Sequence, residues 1–347
     1  APVDLLWNGG IGTYVKASDE SDAEVGDRAN DAVRVNGAQL RARVVGEGGN
    51  LGMSQRGRIE AAEHGVRVNT DAIDNSGGVD SSDQEVNIKI LLGAVEAAGS
   101  MSRPRRDELL RSMTDEVAEK VLRTNYDQNV LLANSRHVGA SKLGAQERLM
   151  AWLEIDGGLD RGLESLPGSE EMARRAAEGR ALTSPELSVL VAYAKLSTEN
   201  GLLDSSLLDD PWLEHELSEY FPEPLRQFTE ALRGHRLRRE IIATRLSNAT
   251  VNRGGITFVH RAMDDSGATL PEVVKAFVVS REVFDLRDFA GRVEALDGVV
   301  PTAVQSELYL EFRRLLDRAV RYLLLRRPGL AGIGDEIARY QGAVRAM

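Results

Sequence analysis

The sequence predicts an α/β segment over residues 1–95 followed by a mainly α-helical domain over residues 96–347. Three observations predict it. Before residue 95, short apolar runs alternate with amphipathic stretches, and each run ends in Gly- or Asn-rich sequence. After it, apolar residues recur at helical spacing. Composition shifts at the same point, Gly, Asn and Asp being dense before it.

Strands are expected at 3–7, 43–46 and 66–70, with helices at 24–34 and 55–64 between them. That alternation is the pattern of β-α-β units in a parallel sheet. Three strands are fewer than the about 4–6 of a free-standing sheet, so the missing strands are expected upstream. The opening Ala1-Pro2, which enters an apolar run at once, reads as the start of a piece cut from a longer chain. A further helix is expected to open at about Val79.

In the second part, Leu109, Met113, Val117 and Val121 recur at i+4, with Asp107, Arg111, Asp115 and Glu119 on the solvated face. Thr183-Ser184-Pro185-Glu186 forms a capping box with Pro in the first turn, opening a helix over 187–196. Helices are also expected at 225–232, at 235–251 with Gly254-Gly255 as the stop, at 270–284 behind Leu270-Pro271-Glu272, and at 308–325. Gly157-Gly158, Leu166-Pro167-Gly168 and the Gly-rich 329–334 read as turns or linkers. Asn248 to Arg253 is polar for a helix end. It fits a C-cap or a face toward another domain or subunit.

The composition excludes several functions. The formal net charge is −11, the wrong sign for a nucleic-acid or anionic-membrane footprint. There is no Cys, so disulfides, thiol nucleophiles and Cys-ligated metals are out. The 5 His include no His-x-x-x-His pair, and no metal site is expected. The cluster Asp74 to Ser82 fails as a calcium loop: with Gly78 at the invariant glycine, Ile73 would be the first ligand. No apolar run approaches the roughly 18 residues of a membrane span, and no signal peptide is visible, which leaves the cytoplasm as the default.

Three loops could carry chemistry. Asn8-Gly9-Gly10-Ile11-Gly12 follows the first expected strand, Glu47-Gly48-Gly49-Asn50-Leu51-Gly52 the second, and Asp74-Asn75-Ser76-Gly77-Gly78-Val79 the third. Each alone fits a tight glycine turn as well as a ligand-facing loop. Together they fall at the carboxyl edge of successive parallel strands, where nucleotides and substrates bind in open α/β sheets. Asn50 offers both an acceptor and donors, and Ser82 offers a hydroxyl to a carboxylate. The His and Arg residues of the helical part have no spacing that implies catalysis.

Three segments resemble the large bacterial NAD-specific glutamate dehydrogenases: Val3 to Lys16, Val45 to Gly52, and Asn69 to Lys89 with its Asn75-Ser76-Gly77-Gly78-Val79 core. Leu182-Thr183-Ser184-Pro185-Glu186-Leu187 is similar to that family's carboxyl-terminal region. The resemblance implies that residues 1–95 are the C-terminal part of a Rossmann-like NAD-binding domain and that the chain is a C-terminal portion of a larger enzyme. It implies oxidative deamination of L-glutamate to 2-oxoglutarate with NAD as cofactor, in amino-acid catabolism, by a cytoplasmic homo-oligomer. By carry-over, Asn8, Gly9, Gly10, Gly49, Asn50 and Asn75 are cofactor residues. Asn75 also meets the substrate amine, and Ser82 its side-chain carboxylate. Gly49 stands where the wider family has Ala. The family's catalytic Lys and Asp, its carboxylate-binding lysines and its glycine fingerprint are not found in this sequence and would lie in upstream domains of the parent chain. An alternative is a non-catalytic helical assembly or regulatory module. A dehydrogenase for apolar amino acids is disfavoured by the polar Ser82.

Overall fold

The computed structural model describes residues 2–327 and 329–346. It is mainly helical, with four short strands among the described residues: β1 (Val3–Asn8), β2 (Val15–Lys16), β3 (Val35–Asn36) and β4 (Ala42–Glu47). By internal contacts the chain forms two units. The first comprises Ala1–Asp80 and Val121–Tyr193, the second Ser81–Lys120 and Ala194–Met347.

In the first unit β1 and β4 pair in parallel, Val3 opposite Ala42 through Asn8 opposite Glu47. β2 and β3 form a second parallel pair. The expected strand at 66–70 is reduced to one bridge, Arg67 against Val44. Arg67 donates to Arg43 O (3.0 Å) and accepts from Val45 N (2.9 Å). On one side of it Val66 N is tied to Ala61 O at 3.0 Å. On the other, the Asn69 amide turns to Asp74 and Asn129. One residue is left for the ladder.

The expected helix at 24–34 is broken. α1 (Asp22–Val25) ends at Gly26, whose φ of 77° is left-handed, and a 3₁₀ turn follows over Arg28–Val33. The Asp27 carboxylate between them accepts from Thr13 N (2.8 Å) and Asn30 Nδ2 (2.6 Å). α2 (Gln55–Glu63) forms as expected, its start capped by the Ser54 hydroxyl. α2 closes a small core of Val15, Val45, Met53, Ala61, Val66 and Val68. After the short α3 (Asp71–Asp74), α4 (Ser76–Ala97) begins three residues earlier than expected, taking Gly77 and Gly78 into its first turn.

The apolar series through Val121 is split at Met113, between α5 (Arg103–Ser112) and α6 (Thr114–Val138). α7 (Leu143–Asp156) and α8 (Ser169–Glu178) follow. α9 (Ser184–Leu203) opens on the expected box: the Thr183 amide and hydroxyl both donate to Glu186 Oε2, at 2.6 and 2.7 Å. Glu186 is itself buried against Arg175 at 2.8 Å.

The second unit is built around α14 (Leu270–Val283), which is almost wholly buried and packs on α16 (Thr302–Arg326) and α17 (Ile333–Arg345). A capping box of Thr269 and Glu272, with Pro271 in the first turn, starts α14. The expected helix at 225–232 is replaced by a 3₁₀ turn at Glu223–Leu225 and a short helix, α11 (Thr229–Arg233), preceded in the chain by α10 (Glu214–Tyr220). α12 (Arg238–Gly254) starts later than 235 because the buried His235 holds a turn. Its Nε2 meets Asn87 O at 3.1 Å and its Nδ1 accepts from Leu237 N at 3.1 Å. α12 ends at Gly255, φ 107°, and the polar segment before it is a capped end: Arg313 Nε donates to Arg253 O at 3.1 Å. α13 (Phe258–Ser266) and α15 (Leu286–Glu294) complete the unit. No helix among the described residues is long and apolar enough to cross a membrane.

Candidate active site

The β1–β4 pairing puts the loop after Asn8 and the loop after Glu47 on one edge of the sheet. Both are drawn together by backbone contacts. Gly49 N donates to Asn8 O at 3.0 Å and Tyr14 N to Gly52 O at 2.9 Å, and Thr13 Oγ1 donates to Leu51 O at 2.7 Å. The approach is so close that a methyl group on Gly49 would lie 2.3 Å from Gly10 O, and one on Gly48 would lie 2.4 Å from the Trp7 ring. Glycine is required at both for space rather than for φ.

Residues 69–75 join the same edge. The Asn75 amide donates to Asn50 Oδ1 at 2.9 Å, and Glu47 N donates to Asp74 Oδ2 at 3.1 Å. Asn8, Gly9, Gly10, Gly49, Asn50 and Asn75 therefore lie in three contiguous loops of the first unit. Asn50 is exposed and Asn75 half-buried. Gly10 differs from Gly9, Gly12, Gly48, Gly49 and Gly52 of these loops. A methyl group there would meet nothing within 4 Å, and its φ is not left-handed, so no intramolecular contact demands glycine. Ser82 belongs to the second unit and is exposed on α4.

Under the loops lies a network that sequence reasoning missed. Glu47 ends β4 fully buried, and Arg58 of α2 meets it bidentately, Nε to Oε2 at 2.6 Å and Nη2 to Oε1 at 3.0 Å. Glu47 Oε1 also accepts from Met53 N at 3.1 Å, so one carboxylate ties the two ends of loop 48–52. Arg58 Nη2 lies 3.3 Å from Asp71 Oδ1, and Asp71 Oδ2 accepts from Leu51 N at 2.8 Å. Leu51 is a non-glycine residue at φ 59°, a left-handed strain that persists only when its surroundings enforce it. Burial pushes the Glu47 carboxyl above its ordinary range, and the Arg58 guanidinium opposes that shift. Asp74 is likewise pushed up by burial, against hydrogen bonds from Asn69 and Glu47 N. The one available signal was a carboxylate closing an apolar strand with an arginine on the following helix.

No group of three or more His, Asp or Glu suited to a metal ion occurs among the described residues. The arrangement can present backbone amides and paired carboxamides to a ligand that carries both acceptors and donors.

Residues 1–135 match the family described as bacterial NAD-glutamate dehydrogenase, catalytic domain, and residues 179–347 match glutamate dehydrogenase, C-terminal. The chain is 48% identical to the NAD-specific glutamate dehydrogenase of Mycobacterium tuberculosis, with all of the chain covered and 21% of that protein. It is 47% identical to the protein of that name from Pseudomonas aeruginosa, covering 100% of the chain and 22% of the relative. The corresponding protein from Halomonas elongata is 47% identical over 95% of the chain and 20% of its own length. The chain thus spans about a fifth of the length of these relatives. With both family regions in order and near-complete alignment at this identity, the chain belongs to the bacterial NAD-specific glutamate dehydrogenases.

Proposed function

We propose that the chain supplies part of the cofactor and substrate site of an enzyme that oxidises L-glutamate with NAD and water to 2-oxoglutarate, ammonia and NADH. The observation that carries this reading is the convergence of the three Gly/Asn loops on one sheet edge, joined by the bond between Asn75 and Asn50. Gly10, open and unstrained, supports it, since close passage of a dinucleotide is a reason for glycine where the fold offers none. When bound, NAD accepts the hydride from the substrate α-carbon. The chain's part is to bind and orient. The turn at Asn8, Gly9 and Gly10, with Gly49 and Asn50, holds the dinucleotide. The Asn75 carboxamide fixes the nicotinamide beside the substrate amine. The Ser82 hydroxyl donates to the distal carboxylate.

Residues 1–95 are read as part of a Rossmann-like domain and residues 96–347 as the helical domain. Leu5 and Trp7 on β1 are 57% and 61% exposed, and parallel strands are ordinarily covered on both faces. This supports further strands and helices contributed by the rest of the parent chain, which would also bring the proton-transfer and carboxylate-binding lysines. The parent is read as a cytoplasmic homo-oligomer. The test is glutamate-dependent NADH formation by the full-length parent, with the purified 347-residue chain alone expected to form none. Turnover by the isolated chain, or a parent that reduces NAD equally well with leucine, would overturn this reading.

A further inference from the structure

We infer that Arg58 is a positioning residue for the cofactor, acting through Glu47 and Asp71 on the shape of loop 48–52. The inference rests on the reading that this loop faces NAD.

Arg58 is buried, 5% exposed, and its polar contacts run to Glu47, Gln55 and Asp71 rather than to Asn50 or Asn75. Its guanidinium instead joins the two carboxylates that define the loop. Through Glu47 it fixes the base, where Oε1 takes Met53 N at 3.1 Å. Through Asp71 it fixes the crest, where Oδ2 takes Leu51 N at 2.8 Å and so holds the left-handed Leu51 next to Asn50. A planar fork can serve both carboxylates at once, whereas a lysine ammonium is a point charge that cannot reproduce the bidentate geometry. Without the fork, Glu47 and Asp71 lose their common partner and Leu51 relaxes from φ 59°. Asn50 then leaves its bond to Asn75. Misplacement of that size at a binding loop costs roughly 10- to 100-fold.

The experiment uses the full-length parent with Arg58→Lys, Glu47→Gln and, as the control on the reading itself, Asn50→Ala. Steady-state kinetics separate KM for NAD, KM for glutamate and kcat, and thermal melting is followed in parallel. The expected result is a roughly 10- to 100-fold rise in KM for NAD in Arg58→Lys, with KM for glutamate within about threefold. In Arg58→Ala, guanidinium ion in the assay is expected to restore much of the NAD affinity without changing kcat for the wild type. Should Arg58→Ala not fold, Arg58→Lys and Glu47→Gln carry the test. An Arg58→Lys enzyme that melts early but keeps the wild-type KM for NAD overturns the inference and leaves Arg58 a structural residue. If Asn50→Ala also leaves NAD affinity unchanged, the loop itself does not face NAD, and it is the underlying reading that fails.

Discussion

Asn75 Nδ2 donates to Asn50 Oδ1 across 2.9 Å, so two loops that are 25 positions apart in sequence share one side-chain contact. A neutral hydrogen bond of this kind contributes about 0.5–1.5 kcal/mol. If both residues serve NAD, their effects must couple. Asn50→Ala and Asn75→Ala in the full-length parent should each weaken NAD binding, and the double variant should lose less than the two single losses added, by about 0.5–1.5 kcal/mol. Titration of NAD binding to the four proteins measures this. Strict additivity would mean that the contact carries no binding energy.

The glycines separate fold from ligand. A methyl group at Gly49 would lie 2.3 Å from Gly10 O, whereas one at Gly10 would meet nothing within 4 Å. Overpacking of the first kind costs about 1–3 kcal/mol. Gly49→Ala should therefore lower the melting temperature, by several degrees. Gly10→Ala should leave it unchanged or slightly raised, because a less flexible unfolded chain favours folding. Yet Gly10→Ala should weaken NAD binding, since the methyl enters space the dinucleotide would use. Retained NAD affinity in Gly10→Ala would remove this residue from the cofactor site.

The helical unit contains an acid-sensitive point. Glu216 is buried, and its carboxylate meets Arg281 at 2.5 Å and Arg245 and Arg287 at 2.8 Å. Burial raises its pKa, but the three guanidinium groups outweigh that and bring it down to about 2, against an ordinary 4.5. A carboxylate depressed in the folded state contributes stability that is complete above its unfolded pKa and is lost as pH falls through the folded one. The window runs from pH 4.5 down to about 2, and the stability at stake is on the order of 3 kcal/mol. Glu216→Gln should lose on the order of 3–5 kcal/mol at neutral pH, since three cations would surround a neutral amide. The gap between variant and wild type should narrow below pH 4. Urea unfolding at pH 7 and pH 3 tests this. A gap that stays constant would exclude Glu216 as the acid-sensitive group.

Much of this was legible because local chemistry decided it. The Thr183–Glu186 box, the Thr269–Glu272 box with Pro271, and the glycine stop at Gly255 act within a few residues of themselves. The three loops were legible because strand-end glycines and asparagines mark the sheet's carboxyl edge. The misses are of another kind. The third strand shrank to Arg67, since the Val66 backbone amide is taken by Ala61 O and the chain turns at Asn69, whose side chain bonds Asp74 and Asn129. α12 starts late because His235 finds the carbonyl of Asn87, 148 residues away in sequence. Arg58 carries no local signal on its short helix. Only the buried end of β4 makes it a partner of Glu47.

The last prediction separates Asn75 from Ser82 in the full-length parent. Ser82 lies on the exposed side of α4, and Asn75 immediately precedes that helix. In the proposed roles, Asn75 orders the hydride donor against the reacting amine, while Ser82 holds the distal carboxylate of glutamate. A hydroxyl donating to an ionised carboxylate is worth about 1.5–3 kcal/mol. Its loss corresponds to roughly 10- to 150-fold in kcat/KM at about 1.4 kcal/mol per tenfold. Ser82→Ala should therefore lose activity on glutamate but not on norvaline, which has no such carboxylate, and NAD binding should barely change. Asn75→Ala should lower kcat for both substrates, because placement of donor and acceptor is disturbed whatever the side chain. If Asn75 served only at the start of the helix and Ser82 only as an exposed residue within it, both substitutions would change the melting temperature slightly and leave substrate preference intact. Steady-state kinetics with glutamate and norvaline on the two variants decide between these outcomes. An unchanged glutamate-to-norvaline ratio in Ser82→Ala would take the carboxylate-binding role away from that residue.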